Sequence, residues 1–206
     1  HGHAPRAPRS TPPMHRATPV CIGRAGLSDG LVRLHLLKEA APAKKKKQKA
    51  MKSLYVDAVE DLPPNAPEPR GKEIQINCFV DSDHAGSEKT RRSRTGYIVF
   101  LNNSPIYWTS KKQGSITTSS FGSEFIAMKQ CCEYLRGLWY KLRMMGVPLD
   151  GPTNVFCDNE SVVKSSVNPE TALKKKHVSI AFHKCRDSFA AGIINVFFQR
   201  SSENLA

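Results

Sequence analysis

The chain has 206 residues, a formal net charge of +13 and a 39% hydrophobic share. That length supports one domain with a real core plus extra segments, and no apolar run approaches membrane-spanning length. Charge is uneven: residues 1–56 hold 12 Lys/Arg against Asp29 and Glu39, a net of +10, leaving 19 basic and 16 acidic residues, a net of +3, for residues 57–206.

Residues 1–56 therefore read as a basic, mostly disordered tail. It opens on the Pro-rich "HGHAPRAPRSTPPMHRATPV" and closes near "APAKKKKQKA" (Ala41–Ala50), which serves either as a polyanion contact or import signal or as a solvated Lys tract. The one apolar patch in it, "LVRLHLL" (Leu31–Leu37), is broken by Arg33 and His35 and lacks a following cleavage site. Residues 57–72, with "DLPPNAPEPRGK", form a Pro-rich linker, and residues 73–206 form the domain proper.

Within the domain, "EIQINCFVD" and "GYIVFLN" (Gly96–Asn102) read as strands, and "NNSP" turns the chain into a third, "IYWTSK" (Ile106–Lys111). Their short connections predict an antiparallel meander. A long helix follows, capped by Ser120 or Ser123, with Ala127, Cys131, Tyr134, Leu135, Leu138, Leu142 and Met145 on one face and Gly146 at its end. "TNVFCD" (Thr153–Asp158) is a fourth strand and "NESVVKSSV" a short helix stopped before Pro169. "ALKKKHVSIAFHKCRDSFAAG" reads as a second long helix ending at Gly192, "IINVFFQ" (Ile193–Gln199) as a fifth strand, and "SSEN" as the cap and first turn of a further helix. The order predicts an α/β domain with a mixed five-stranded sheet, three antiparallel strands then two parallel, helices on its faces and a truncated final helix. Six cysteines (Cys21, Cys78, Cys131, Cys132, Cys157, Cys185) form no CxxC pair and read as reduced, buried thiols of an intracellular protein, cytoplasmic or nuclear.

Three acids stand out. Asp81 ends the first strand, Glu124 opens the long helix in its first turn, and Asp158 ends the fourth strand. Each alone reads as a solvated or capping acid. Together on one frame they converge at neighbouring strand ends, where they repel one another unless a cation is present. Oxygen ligands favour Mg2+ or Mn2+, and two such ions cleave phosphodiesters. Asp83 shares a strand face with Asp81.

The stretch "FVDSDHAGSEKTRRSRTGYIVFLNNSPIYWTSKKQGSITTSSFGSEFIAMK", with "VFCDN" and "KKKHVSIAFH" after it, resembles the ribonuclease H domain of copia-type LTR retrotransposon polyproteins. The resemblance spans about residues 72–206, in five blocks in order, and leaves residues 1–56 uncovered. It implies an RNase H-like fold, two Mg2+ or Mn2+ ions on Asp81, Glu124 and Asp158, and cleavage of the RNA strand of RNA–DNA hybrids. It also implies a reverse transcriptase portion of the parent polyprotein as partner. The family's fourth acid is expected just after "ENLA". The sequence ends at Ala206, Glu203 lies one helical turn too early, and Ser201 and Ser202 occupy a loop where many relatives carry a His. That departure predicts weaker binding of one ion. It leaves a catalytically dead nucleic-acid-binding remnant, or a non-functional fragment of a decayed element, as the competing readings.

Phosphate contacts are expected from Lys89, Arg91, Arg92 and Arg94 and from Lys174, Lys175 and Lys176, with "SKKQ" (Ser110–Gln113) a weaker source. Hydroxyl contacts to the RNA strand are expected from Ser119, Ser120 and Asn159. Trp108 and Trp139 read as core residues, and His177 and His183, at i and i+6, share no helix face.

Overall fold

The computed structural model describes residues 44–173 and 176–206. They lie in one compact unit, Ala41–Ala206; a second unit, His1–Ala40, lies outside the described residues, as do the expectations made for it and for Lys174 and Lys175. The strands are β1 (Ile76–Asp83), β2 (Arg94–Leu101), β3 (Ser104–Lys112), β4 (Thr153–Cys157) and β5 (Ile194–Phe198). The helices are α1 (44–54), α2 (Ser120–Met144), α3 (Glu160–Val167) and α4 (Ser179–Ala190). Single 3-10 turns occupy Lys176–Val178 and Ser201–Glu203.

The sheet runs β3-β2-β1-β4-β5. β1 to β3 pair antiparallel, and β4 pairs parallel with both β1 and β5. This is the mixed α/β architecture that the β-rich runs predict. β1 is central because its alternate residues are apolar and buried against neighbours on both sides. One sheet face, with Ile76, Cys78, Val80, Val99 and Val155, packs on Phe125, Met128, Cys131 and Leu135 of α2. Trp139 meets the sequence expectation: it is 4% exposed and its Nε1 donates to Thr153 Oγ1 at 2.8 Å. Trp108 does not, being 70% exposed. It lies on an edge strand, in register with Ile98, on the face carrying the stacked pair Phe79–Phe156 rather than the face under α2.

Helix α2 is capped by Ser119, whose Oγ accepts from Gly122 N at 3.3 Å, rather than by Ser120 or Ser123. It stops in a left-handed turn at Gly146 (φ 68°), where Val147 N donates to Leu142 O and Gly146 N to Arg143 O. The expected second long helix is shorter than its sequence suggests, since α4 begins only at Ser179.

The expected tail gives way, over residues 44–54, to a docked helix. Lys44 Nζ donates to Val196 O at 2.8 Å on the open edge of β5, Gln48 Nε2 donates to Phe189 O at 3.1 Å, and Met51 is fully buried. The anchor is a stripe at i, i+4 and i+7. The Pro-rich segment after it has no regular structure and is pinned to α2: Arg143 Nε meets Glu60 Oε1 at 3.0 Å, and Arg136 Nη2 donates to Val59 O at 3.2 Å. Residues 44–72 are thus part of the compact unit, not a tail and a free linker.

Candidate metal centre

Val80 and Cys157 form the last register pair between β1 and β4. Asp158 follows directly on β4, whereas Asp81, the residue after Val80, lies inside β1 opposite Gly96 rather than at its end as the sequence suggests; both stand near the C-terminal edge of this parallel pair. Glu124 reaches the same edge from α2. It is the fifth residue of that helix rather than part of its first turn, because the cap lies at Ser119. The ligand atoms of Glu124, Cys157 and Asp158 all lie within 4.8 Å of one another. Asp81 stands outside that trio but couples to it through charge.

Glu124 is 6% exposed, and its Oε2 is buried without a hydrogen-bond partner. Burial, then the charges of Asp81 and Asp158, push its carboxyl up to about 8, against the pull of the Ser82 hydroxyl and backbone N–H. Asp81 is also raised, first by burial and then by the charges of Asp158 and Asp83, against the pull of the Ser82 N–H on its Oδ1 at 2.7 Å. Asp158 Oδ2 accepts from Ser201 Oγ at 2.6 Å. Burial pushes the Cys157 thiol upward.

An orphaned buried carboxylate oxygen facing two further acids is a donor set that fits a divalent cation, which would satisfy the oxygen and cancel the repulsion. Asp81, Glu124 and Asp158 are the residues that would hold it.

Two residues steady this edge. Gln113 is 1% exposed; its Nε2 donates to Thr95 Oγ1 at 3.1 Å and to Ser123 O at 2.9 Å, tying β2 to the turn of α2 that carries Glu124. Sequence reading grouped it with exposed phosphate contacts. The signal available was its place just past a strand end, where a buried amide can bridge strand and helix. Gln113→Leu leaves Ser123 O and Thr95 Oγ1 without this donor. It is expected to cost about 1–3 kcal/mol, read as a lower midpoint in urea unfolding. Asn204 Nδ2 donates to Val80 O at 3.0 Å, bringing the last residues to the same edge.

The other expected residues fall around this centre. Asp83 is exposed, on the β1 face of Asp81, and its carboxylate lies so close to Gly86 that a Cβ there would collide with it. Lys89, Arg91 and Arg92 are exposed in the β1–β2 connection, and Arg94 begins β2 opposite Asp83. Ser120 is exposed at the start of α2. Asn159 Oδ1 is committed to capping α3, accepting from Ser161 N and Val162 N. Lys176 is exposed, and its neighbour His177 lies against Gly122 at the start of α2.

No protein-family profile matches the chain. The chain is 28% identical over 137 residues to the retrovirus-related Pol polyprotein from transposon RE2 of Arabidopsis thaliana, a match covering 66% of this chain and 9% of the relative. It therefore spans about a tenth of the length of that protein. Among solved structures, RNase H1 from Halobacterium salinarum NRC-1 aligns at a TM-score of 0.48 and 9% identity, over 62% of this chain and 87% of that one. LC11-RNase H1 in complex with RNA/DNA hybrid aligns at 0.47 and 16% identity, over 64% and 89%. The chain is thus similar in sequence to transposon Pol polyproteins, and RNase H structures are among those that align with it. No helix among the described residues is long and apolar enough to cross a membrane.

Proposed function

We propose that this retrotransposon-type RNase H-like domain hydrolyses the RNA strand of RNA–DNA hybrids with two Mg2+ or Mn2+ ions, as the nuclease portion of a polyprotein that also carries a reverse transcriptase. The observation that carries this is Glu124: a buried carboxylate with an unpartnered oxygen, set against the charges of Asp81 and Asp158. Ionised, such a group is costly, and a cation beside it offsets that cost. Bound there, divalent ions supply an activated water and stabilise the leaving oxygen of the phosphodiester.

The chain's own residues supply position and charge. Asp81, Glu124 and Asp158 set the centre at the sheet edge. Ser201 fixes the Asp158 carboxylate through its hydrogen bond, and Asp83 adds negative charge beside Asp81. The exposed Lys89, Arg91, Arg92 and Arg94 flank the end of β1 and suit contacts to backbone phosphates. Lys176 is exposed beside His177, which lies against Gly122 at the start of α2, and Lys174 and Lys175 precede it in sequence; all three suit further phosphate contacts. Ser120 and the Asn159 amide group, whose oxygen is already occupied, are suited to ribose hydroxyls.

Incubation of the purified protein with a labelled hybrid tests this reading. Cleavage of the RNA strand is expected with Mg2+ or Mn2+ and not with chelator. Asp158→Asn is expected to lower the rate at least about 100-fold, since loss of even an outer partner of a metal ligand costs roughly 10–100-fold. Salt-sensitive hybrid binding without cleavage under either metal would instead leave a binding remnant.

A further inference from the structure

The sulfur of Cys157 belongs to the centre as well as to the core. A cysteine packed only as a small hydrophobe has no use for two carboxylates, yet Cys157 Sγ lies within 4.8 Å of ligand oxygens of both Glu124 and Asp158. Its sulfur also accepts from Asn159 N at 3.5 Å, on the side where the strand ends and the acids gather. Independently, Glu124 Oε2 is buried with no hydrogen-bond partner. From this arrangement we infer that Glu124, Cys157 and Asp158 form a site for one thiophilic divalent cation, Zn2+ or Cd2+ in chemical class, with Asp81 outside it.

Ligand chemistry separates this site from the one proposed above. Thiolate sulfur selects Zn2+ and its heavier congener over Mg2+, which takes oxygen donors in octahedral geometry. Three protein ligands, one of them sulfur, with a fourth position open to water, suit a tetrahedral ion at about 2.3 Å from sulfur and about 2.0–2.2 Å from oxygen. Ligands at those distances stand roughly 3.5 Å apart, so the trio needs only a small contraction. Binding exchanges the Cys157 thiol proton for the metal and releases that proton to water, with no change of oxidation state. Since the same two carboxylates serve the proposed nuclease centre, a thiophilic ion held here excludes Mg2+ from them, and the site acts as an inhibitory trap.

The inference shares Glu124 and Asp158 with the nuclease reading, so the test reads sulfur ligation rather than cleavage. Cd2+ is titrated into the reduced full chain while the thiolate-to-metal charge-transfer absorption is followed, and the bound ion is examined by 113Cd NMR. The expected result is one equivalent bound, with a chemical shift diagnostic of one sulfur among oxygen donors. In Cys157→Ser the absorption is lost and Cd2+ affinity falls at least tenfold; in Asp81→Asn both persist. Should Cys157→Ser fail to fold, the donor count in the unaltered chain decides. Unchanged absorption in a folded Cys157→Ser, a resonance from two or more sulfurs, or no charge-transfer band at all would overturn the site. A chain that binds Cd2+ through Cys157 yet cuts no hybrid keeps this inference and loses the nuclease reading.

Discussion

Glu124→Gln is expected to abolish hybrid cleavage while making the metal-free protein more stable at pH 8 and above. The carboxyl is buried beside Asp81 and Asp158 and raised to about 8. A group whose folded pKa exceeds its unfolded value holds its proton more tightly in the native state. Stability is therefore greatest at low pH and declines as pH rises from the ordinary glutamate range through about 8. The neutral amide removes that penalty. The gain is expected to be on the order of 1–3 kcal/mol, within the usual range for single substitutions. At about 2–4 °C per kcal/mol for a chain of this size, that is a Tm rise of roughly 2–12 °C. The difference should vanish well below the ordinary glutamate value of 4.5, where native and unfolded chains are both protonated. It should also shrink when Mg2+ is added, because a cation neutralises the same charge. A Tm for Glu124→Gln that is equal to or below the parent across this range would show that Glu124 carries no stored repulsion.

The largest loss of stability is expected from Arg186→Leu. Arg186 is 4% exposed, and its guanidinium donates to three backbone oxygens of the α3–α4 connection: Thr171 O at 3.0 Å, Asn168 O at 3.0 Å and Pro169 O at 2.7 Å. Its Nε also lies 3.2 Å from the Met51 sulfur of α1. Burial lowers its pKa, yet a guanidinium stays charged in proteins, so its cost is offset by these bonds. Leucine leaves the three carbonyls without this donor and loosens α1 from α4. Hydrogen bonds to a charged group contribute about 1.5–3 kcal/mol each, so losing this set is expected to cost at least about 3 kcal/mol, or roughly 6 °C or more in Tm. Lysine should not rescue, because its single ammonium cannot reproduce the fork that meets three carbonyls. Thermal unfolding of both variants, with amide exchange in residues 44–54 as a second readout, checks this.

Strand order was legible because β-branched and aromatic runs separated by short Asn- and Pro-containing turns leave few topologies open. The same reasoning put Asp81 and Asp158 on neighbouring parallel strands, but it ended β1 at Asp81, whereas pairing with β2 carries that strand on to Asp83. Helix α1 was hidden because its docked stripe consists of the partly exposed Lys44 and Gln48, polar residues that reach carbonyls, and the buried Met51. Periodicity in hydrophobicity cannot detect such a stripe. Trp108 was misassigned because alternation tells which residues share a face, not which face receives the helix. Cys157 escaped notice for a related reason. Strand alternation sends consecutive residues to opposite faces, so Cys157 and Asp158 should part. β4 ends at Cys157, however, and the constraint lapses there, which lets both side chains face Glu124.

The most direct measurement of the central claim, that these carboxylates share divalent cations, is equilibrium Mn2+ binding followed by electron paramagnetic resonance of the free ion. The unaltered chain is expected to bind Mn2+ with an affinity that falls at least about 100-fold in Glu124→Gln and in Asp158→Asn, beyond the roughly 10–100-fold cost of losing an outer partner. Equal Mn2+ affinity in the parent and both variants would contradict it.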